Sequence, residues 1–179
     1  MALTPQDAAA ALRDIEQTEA RSASLEDYRR AAPHLMVWGI LWALAYTLND
    51  IFPLRAGAVW SVVVPLGFIT SLLAMREGWN ERTWRYAAAM GAVFLFVVGT
   101  ILIMWPVSAR QIAAFIPLLV ALTYALKGIW SGWRYLATGF GVAALTLLGF
   151  FLVKAHFFLW MAGVGGGSLI LASIWFRRV

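Results

Sequence analysis

The chain of 179 residues is too apolar for a water-soluble domain, since 62% of its residues are hydrophobic and only 13% are charged. A soluble domain is about half apolar and about a quarter charged, so the composition indicates a membrane protein. The net charge of +5 comes mostly from Arg and Lys beside apolar segments, which disfavours direct nucleic-acid binding, and the lack of cysteine excludes disulfides and thiolate metal sites.

Residues 1–33 are polar and predict a cytoplasmic helical arm rather than a secretory signal peptide. Thr4 and Pro5 are typical of the start of a helix. Ala8, Leu12 and Ile15 recur at helical spacing and form an apolar stripe along it. We expect this helix to fray near residues 21–24. The stripe is a candidate docking surface for a cytoplasmic protein partner, bound through residues 1–30.

Six apolar segments follow, each close to the roughly 20 residues that a membrane-spanning helix needs. They cover residues 34–53, 56–75, 85–107, 110–129, 134–153 and 156–176. Polar loops at residues 76–85 and 127–134 separate them into pairs, and the other connections are short turns. The sequence therefore predicts an all-α polytopic membrane protein, in which residues 34–179 form six transmembrane helices arranged as three helical hairpins.

Lys and Arg are distributed unequally between the two ends of this predicted bundle. The arm, the polar loops and the carboxyl terminus carry eleven of the 14, whereas the short turns carry only Arg55, Arg110 and Lys154. Cytoplasmic loops are enriched in Lys and Arg. We therefore expect a multi-pass membrane protein, surrounded by lipid, with both termini in the cytoplasm.

An aromatic residue followed by Arg precedes three of the apolar segments, in YRR at 28–30 and in WRY at 84–86 and 133–135. Aromatic rings and Arg both favour the headgroup level, so each copy marks the return of the chain into the membrane. Trp84 and Trp133 stand 49 residues apart. This spacing predicts a repeat over residues 28–76, 84–127 and 133–177 with approximate threefold symmetry. Chance enrichment at the inner interface is the alternative.

Helix-weakening residues occur at a similar depth in the second helix of each predicted hairpin, at Pro65, Pro117 and Gly166. Proline removes a backbone hydrogen bond, and glycine loosens the helix. In a bilayer, neighbouring helices or trapped water must satisfy the freed groups. We interpret the three residues as candidate hinges. Gly163 and Gly167, in contrast, form a GxxxG pair and predict a close contact between helices.

The middles of the six predicted spans contain no Asp, Glu, Lys, Arg or His. A charge there costs ~2.5–3.5 kcal/mol and usually marks an ion or proton pathway, so the pattern disfavours ion-coupled transport. Nothing resembles a catalytic triad, a phosphate-binding loop or a metal-ligand spacing. We therefore predict a protein that is not an enzyme and has no metal or cofactor.

Asn49, Asp50, Lys154 and His156 all fall at the predicted outer turns. A threefold bundle would bring these turns together, so the four residues are a candidate outer polar cluster that closes this end or binds a small polar ligand. The alternative is that they are turn residues exposed to water or headgroups.

The segments LTPQDAAAALRDIEQTEARS (3–22) and YRRAAPHLMVWGILWALAY (28–46) resemble a group of small, uncharacterised proteobacterial six-helix inner-membrane proteins. Genes of this group tend to lie beside a small winged-helix DNA-binding regulator, so the resemblance implies such a regulator as the partner. The three-hairpin plan is also similar to that of the acid-resistance membrane proteins of the HdeD type, with which Gly99 and Pro106 are shared.

These features predict a non-enzymatic inner-membrane protein that acts by association with a cytoplasmic partner, in a regulatory or sensory role, and that is a candidate homo-oligomer. The alternative is a small transporter or channel for an uncharged or lipophilic molecule, with hinges at Pro65, Pro117 and Gly166. A hollow centre would favour the alternative, whereas a packed centre would weigh against it.

Overall fold

The computed structural model describes residues 5–74 and 81–178, which form an all-helical architecture. A short 3₁₀ turn, Pro53–Arg55, joins the first two helices. The last helix contains a π-helical segment, Met161–Gly166. The helices are α1 (Pro5–Ile51), α2 (Ala56–Ala74), α3 (Glu81–Ile103), α4 (Ala109–Ser131), α5 (Trp133–Leu152) and α6 (Phe157–Arg177).

Five of the described helices, α1, α2, α4, α5 and α6, are long and apolar enough to cross a membrane. The corresponding apolar stretch of α3 is shorter, Gly91–Ile103. The predicted all-α class, with several helices suited to a bilayer, is therefore confirmed. The count of six spans and the repeat of three hairpins are not confirmed by these helices.

Helix α1 is continuous over 47 residues and includes Pro33. The prediction that it frays at residues 21–24 is wrong. The hydroxyl of Ser24, which could compete with the helix backbone, instead donates a hydrogen bond across to the carbonyl of Ser131 at 2.6 Å. At 1.5 Å per residue, α1 is about 70 Å long, more than twice the thickness of the bilayer core. Thr4, predicted to cap this helix, lies outside the described residues.

Helices α1, α4, α5 and α6 form the core. The closest neighbours are α4 with α5 and α1 with α6. Within the predicted hairpins, α1 contacts α2 and α5 contacts α6, but α3 has no close contact with α4. Helix α2 packs on α1, where the indole of Trp38 donates to the hydroxyl of Ser71 at 3.1 Å. Among the described helices, α3 packs closely against none.

The predicted polar loop at 127–134 is mostly helical, because α4 continues to Ser131 and α5 begins at Trp133. Gly132 is the single linking residue, and its φ of 122° favours glycine. A Cβ at Gly132 would collide with the hydroxyl of Tyr28. Gly128 lies against the backbone of Leu136, so the two helices stay in contact up to the turn.

The predicted close approach at Gly163 and Gly167 is wrong, since both face open space. The contact between α1 and α6 is made instead by Gly39 and Gly166. A Cβ on Gly39 would lie 2.7 Å from Cγ1 of Ile170 and 2.9 Å from the carbonyl oxygen of Gly166. Small residues therefore do form the interface between α1 and α6, but they lie on another face of α6.

Candidate functional site

The near end of the bundle is the end where α1 enters it, α4 ends and α5 begins; the far end is opposite. Five residues from three helices meet at the near end and are called the near-end cluster: Asp27, Tyr28, Lys127, Arg134 and Tyr135. They include residues from the first and third copies of the aromatic–Arg motif. The cluster connects α1 to the turn between α4 and α5.

Hydrogen bonds link the members of this cluster. The hydroxyl of Tyr28 accepts from the backbone N–H of Arg134 at 3.2 Å. The hydroxyl of Tyr135 donates to the carbonyl of Asp27 at 3.0 Å and accepts from the ammonium of Lys127 at 3.1 Å. Lys127 also pairs with the carboxylate of Asp27 at 3.0 Å. Because both ionic side chains are partly exposed, this pair contributes at most about 1 kcal/mol.

Ring packing supports the hydrogen bonds. The rings of Tyr28 and Tyr135 lie 5.1 Å apart, and each lies within 4.9 Å of Phe176 on α6. Tyr135 and Phe176 are fully buried. The ring contacts therefore bring α6 into the same cluster as α1 and α5.

Arg134 connects the cluster to the end of α6. Its guanidinium lies 5.6 Å from the ring centre of Tyr28 and 5.0 Å from that of Trp175, and it donates to the carbonyl of Trp175 at 2.6 Å. A cation that binds the last carbonyls of a helix stabilises that end. The motif thus joins helices in its first and third copies, a role that its interpretation as a headgroup marker does not include. In the second copy, Trp84 is exposed.

Of the three candidate hinges, Pro117 is the one next to a defined hydrogen bond from another helix. Proline has no N–H, so the carbonyl of Ala113, four residues earlier in α4, has no helical donor. The hydroxyl of Tyr46 on α1 donates to this carbonyl at 2.8 Å. Both Tyr46 and Pro117 are fully buried, so water does not replace this contact. Sequence reasoning missed Tyr46, although a hydroxyl in an apolar segment is itself a signal that an acceptor lies nearby.

The other two candidate hinges differ from Pro117 and from each other. Pro65 is an exposed residue of α2. Gly166 is buried at the end of the π-helical segment of α6, where an added Cβ would lie 2.8 Å from the side chain of Ala43. Pro117 and Gly166 are therefore both held against α1, and Pro65 is not enclosed.

The four residues of the candidate outer cluster lie at the far end in different environments. Asn49 is 4% exposed, and its Oδ1 has no hydrogen-bond partner among the described residues. Asp50 is half-buried, whereas Lys154 and His156 are exposed. Within the described part of the chain, no hydrogen bond or ion pair joins the four, so the cluster stays a prediction.

The apolar stripe of the arm is open to solvent where the structure describes it. Leu12 is 58% exposed and Ile15 is 55% exposed. The Ala8 side chain lies outside the described part of the structure. The hydrogen bond from Ser24 to Ser131 attaches α1 to the near end, so the stripe precedes the attached part of the helix by more than two turns.

Over residues 5–74 and 81–178, no three His, Cys, Asp or Glu side chains are grouped so that they could hold a metal ion. The fold and contacts define an all-helical protein with several membrane-length helices and a clustered near end. Comparisons with protein-family models, with curated proteins and with solved structures found no match.

Proposed function

We propose that the protein is a non-enzymatic component of the bacterial inner membrane that acts by association with a cytoplasmic partner, in a regulatory or sensory role. In this proposal α3 is the third of six spans, and both termini are cytoplasmic. The three sequence repeats are hairpins whose helices pack unequally against one another.

The observation that carries the proposal is the exposed stripe on the arm. Leu12 and Ile15 present apolar surface on a helix whose neighbouring residues, Arg13 and Asp14, are charged and exposed. An amphipathic helix of this kind binds by laying its apolar side into a groove of a partner protein. The arm covers residues 5–23, about 28 Å of helix at 1.5 Å per residue, which is long enough for such a groove.

The continuity of α1 supports a regulatory role. The same helix that carries the stripe contributes Tyr28 to the near-end cluster and Tyr46 to the contact with α4. A partner that binds the arm therefore acts on a helix that is hydrogen-bonded to the core at two depths. The winged-helix regulator implied by the family resemblance is the partner that we propose.

The alternative, a small transporter or channel, has one observation in its favour, the π-helical segment that ends at Gly166. Such segments are frequent at functional sites. Side chains that fill the centre weigh against a conduit, because Val142, Met161 and Leu169 are almost completely buried.

The test is site-specific photo-crosslinking of the full-length protein in native membranes. A photoreactive residue at position 12 or 15 should capture the same cytoplasmic protein, identified by mass spectrometry. The matched control is position 17, which is exposed on the opposite side of the arm. Ile15→Glu should abolish capture from position 12, whereas Gln17→Glu should not. Equal capture at positions 12 and 17, or none at 12 and 15, would reject the proposal.

A further inference from the structure

A groove of about 230 Å³ lies at the far end, between the last turn of α3, the first half of α4 and the end of α5. The groove is open because α3 does not pack closely against α4. Only the last turn of α3 borders the groove. The side chains that line it are almost all apolar. They include Ile101, Met104, Ile112, Phe115, Leu118 and Phe150.

A cation stands beside this groove. The guanidinium of Arg110, on the first turn of α4, lies 5.0 Å from the ring centre of Phe150, which lines the groove. Among the described residues, Arg110 has no carboxylate within ion-pair distance and no hydrogen-bond acceptor. The N–H groups of Arg110 are therefore available to an anion.

Gln111 lines the groove next to Arg110 and has a free donor. Its Oε1 accepts from both the N–H and the hydroxyl of Ser108 at 2.9 Å, which fixes the side chain in a capping box. The amino group of Gln111 has no partner in the described part of the chain. Two donors, one of them charged, thus stand at one end of an apolar groove.

We propose that this groove binds one acyl chain of an anionic phospholipid, whose phosphate contacts Arg110 and Gln111. Arg is well suited to phosphate because its planar guanidinium donates two parallel hydrogen bonds. From Arg110 to Leu118, α4 rises about 12 Å, so the groove takes the upper part of the chain below the headgroup. Arg110 stands at the groove with no carboxylate within ion-pair distance among the described residues, which favours an anionic headgroup over a zwitterionic one.

The bound chain would also complete the packing of α3. Thr100 and Ile101 of α3 and Met104, which follows it directly, border the groove, but this helix packs closely against no other described helix. An acyl chain between α3 and α4 supplies the missing apolar contacts on this side. We therefore expect the lipid to restrict the carboxyl-terminal half of α3.

The test is native mass spectrometry of the delipidated, full-length protein titrated with phosphatidylglycerol and, separately, with phosphatidylethanolamine. Both lipids carry the phosphate, but the ammonium group of phosphatidylethanolamine is repelled by Arg110, so phosphatidylglycerol should bind about fivefold more tightly. Arg110→Gln should remove this preference. Arg55→Gln, which removes an exposed cation at the same end, should preserve it.

A second pair of variants tests the apolar part. Leu118→Trp fills the groove and should weaken phosphatidylglycerol binding about tenfold or more. Leu122→Trp, one turn further along α4 at an exposed position outside the groove, should not change it. In the wild type, phosphatidylglycerol should slow amide hydrogen exchange over residues 91–103. Equal binding of the two lipids, equal effects of Arg110→Gln and Arg55→Gln, or exchange unchanged by phosphatidylglycerol would overturn the proposal.

Discussion

Replacing Tyr46 by phenylalanine removes one hydroxyl from the buried contact between α1 and α4. This hydroxyl is the donor to the carbonyl of Ala113, which Pro117 leaves without a helical partner. The side chains of Tyr46 and Pro117 are fully buried, so neither water nor a lipid headgroup reaches the carbonyl. The substitution therefore leaves an unsatisfied acceptor inside the bundle, at one of the three candidate hinges.

Two ranges of hydrogen-bond energy set the expected loss of stability. A buried acceptor left without a partner costs about 1–3 kcal/mol. Hydrogen bonds between membrane helices average about 0.6 kcal/mol and reach about 1.7 kcal/mol. The ranges overlap at about 1–1.7 kcal/mol, and the complete burial of this contact favours that interval.

Pro117→Ala provides the decisive background, because an alanine at this position restores a backbone N–H that can donate to the carbonyl of Ala113 within α4. In this background we expect Tyr46→Phe to cost less than about 0.5 kcal/mol, so the double-mutant cycle gives a coupling of about 1 kcal/mol. The free energy of unfolding is measured by reversible titration with a denaturing detergent in mixed micelles, followed by far-ultraviolet circular dichroism.

Thr123→Val is the matched control for the loss of a hydroxyl from a core helix. The Thr123 hydroxyl is exposed and donates to the carbonyl of Val120 within α4. Its removal should change stability by less than about 0.5 kcal/mol. If Tyr46→Phe lowers stability equally with and without Pro117, the carbonyl of Ala113 is not what Tyr46 satisfies, and the reasoning is refuted.

Three further predictions use the same unfolding measurement. Gly132→Ala should cost at least about 2 kcal/mol, because φ of 122° disfavours a side chain and the new Cβ collides with Tyr28; unchanged stability would contradict the near-end cluster. Gly39→Ala should destabilise the contact of α1 with α6, whereas Gly163→Ala, which faces open space, should not, and equal effects would refute this packing. Lys127→Gln should cost less than about 1 kcal/mol, with a smaller loss at high salt, since its ion pair is partly exposed; a loss above about 2 kcal/mol would show that exposure misleads here.

The class of fold could be predicted because composition and span length depend on the bilayer rather than on which helices are neighbours. The placement of Lys127 at the end opposite Arg110 could also be predicted, because both lie on one helix of membrane-spanning length. The contacts are consistent with it: Lys127 and Arg134 meet Tyr135 and Tyr28 at one end, and Arg110 meets Phe150 at the other.

The choice of neighbouring helices could not be predicted, because it depends on how each helix is rotated about its axis. The GxxxG spacing of Gly163 and Gly167 indicates a close contact somewhere on α6, but the π-helical segment between Met161 and Gly166 changes the side that faces α1. The observed contact therefore uses Gly166. A pattern that assumes 3.6 residues per turn fails at such a segment.

The hydrogen-bond partners of individual polar groups also could not be predicted from the sequence. Three prolines lie inside described helices, and each leaves one carbonyl without its helical donor, so Tyr46 had several candidate acceptors. The contact of Tyr28 with Arg134 depends on the juxtaposition of α1 and α5. The aromatic–Arg motif predicted a common depth for its copies, but a common depth alone does not show that the residues meet.

The unbroken length of α1 has a consequence for any movement of the protein. About 50 Å of rigid helix separates Tyr46 from Leu12. A tilt of a few degrees about the buried tyrosine would swing the arm sideways by several ångströms. A rearrangement within the core that is too small to open a cavity would thus become a larger displacement of the arm, which a protein bound there could detect.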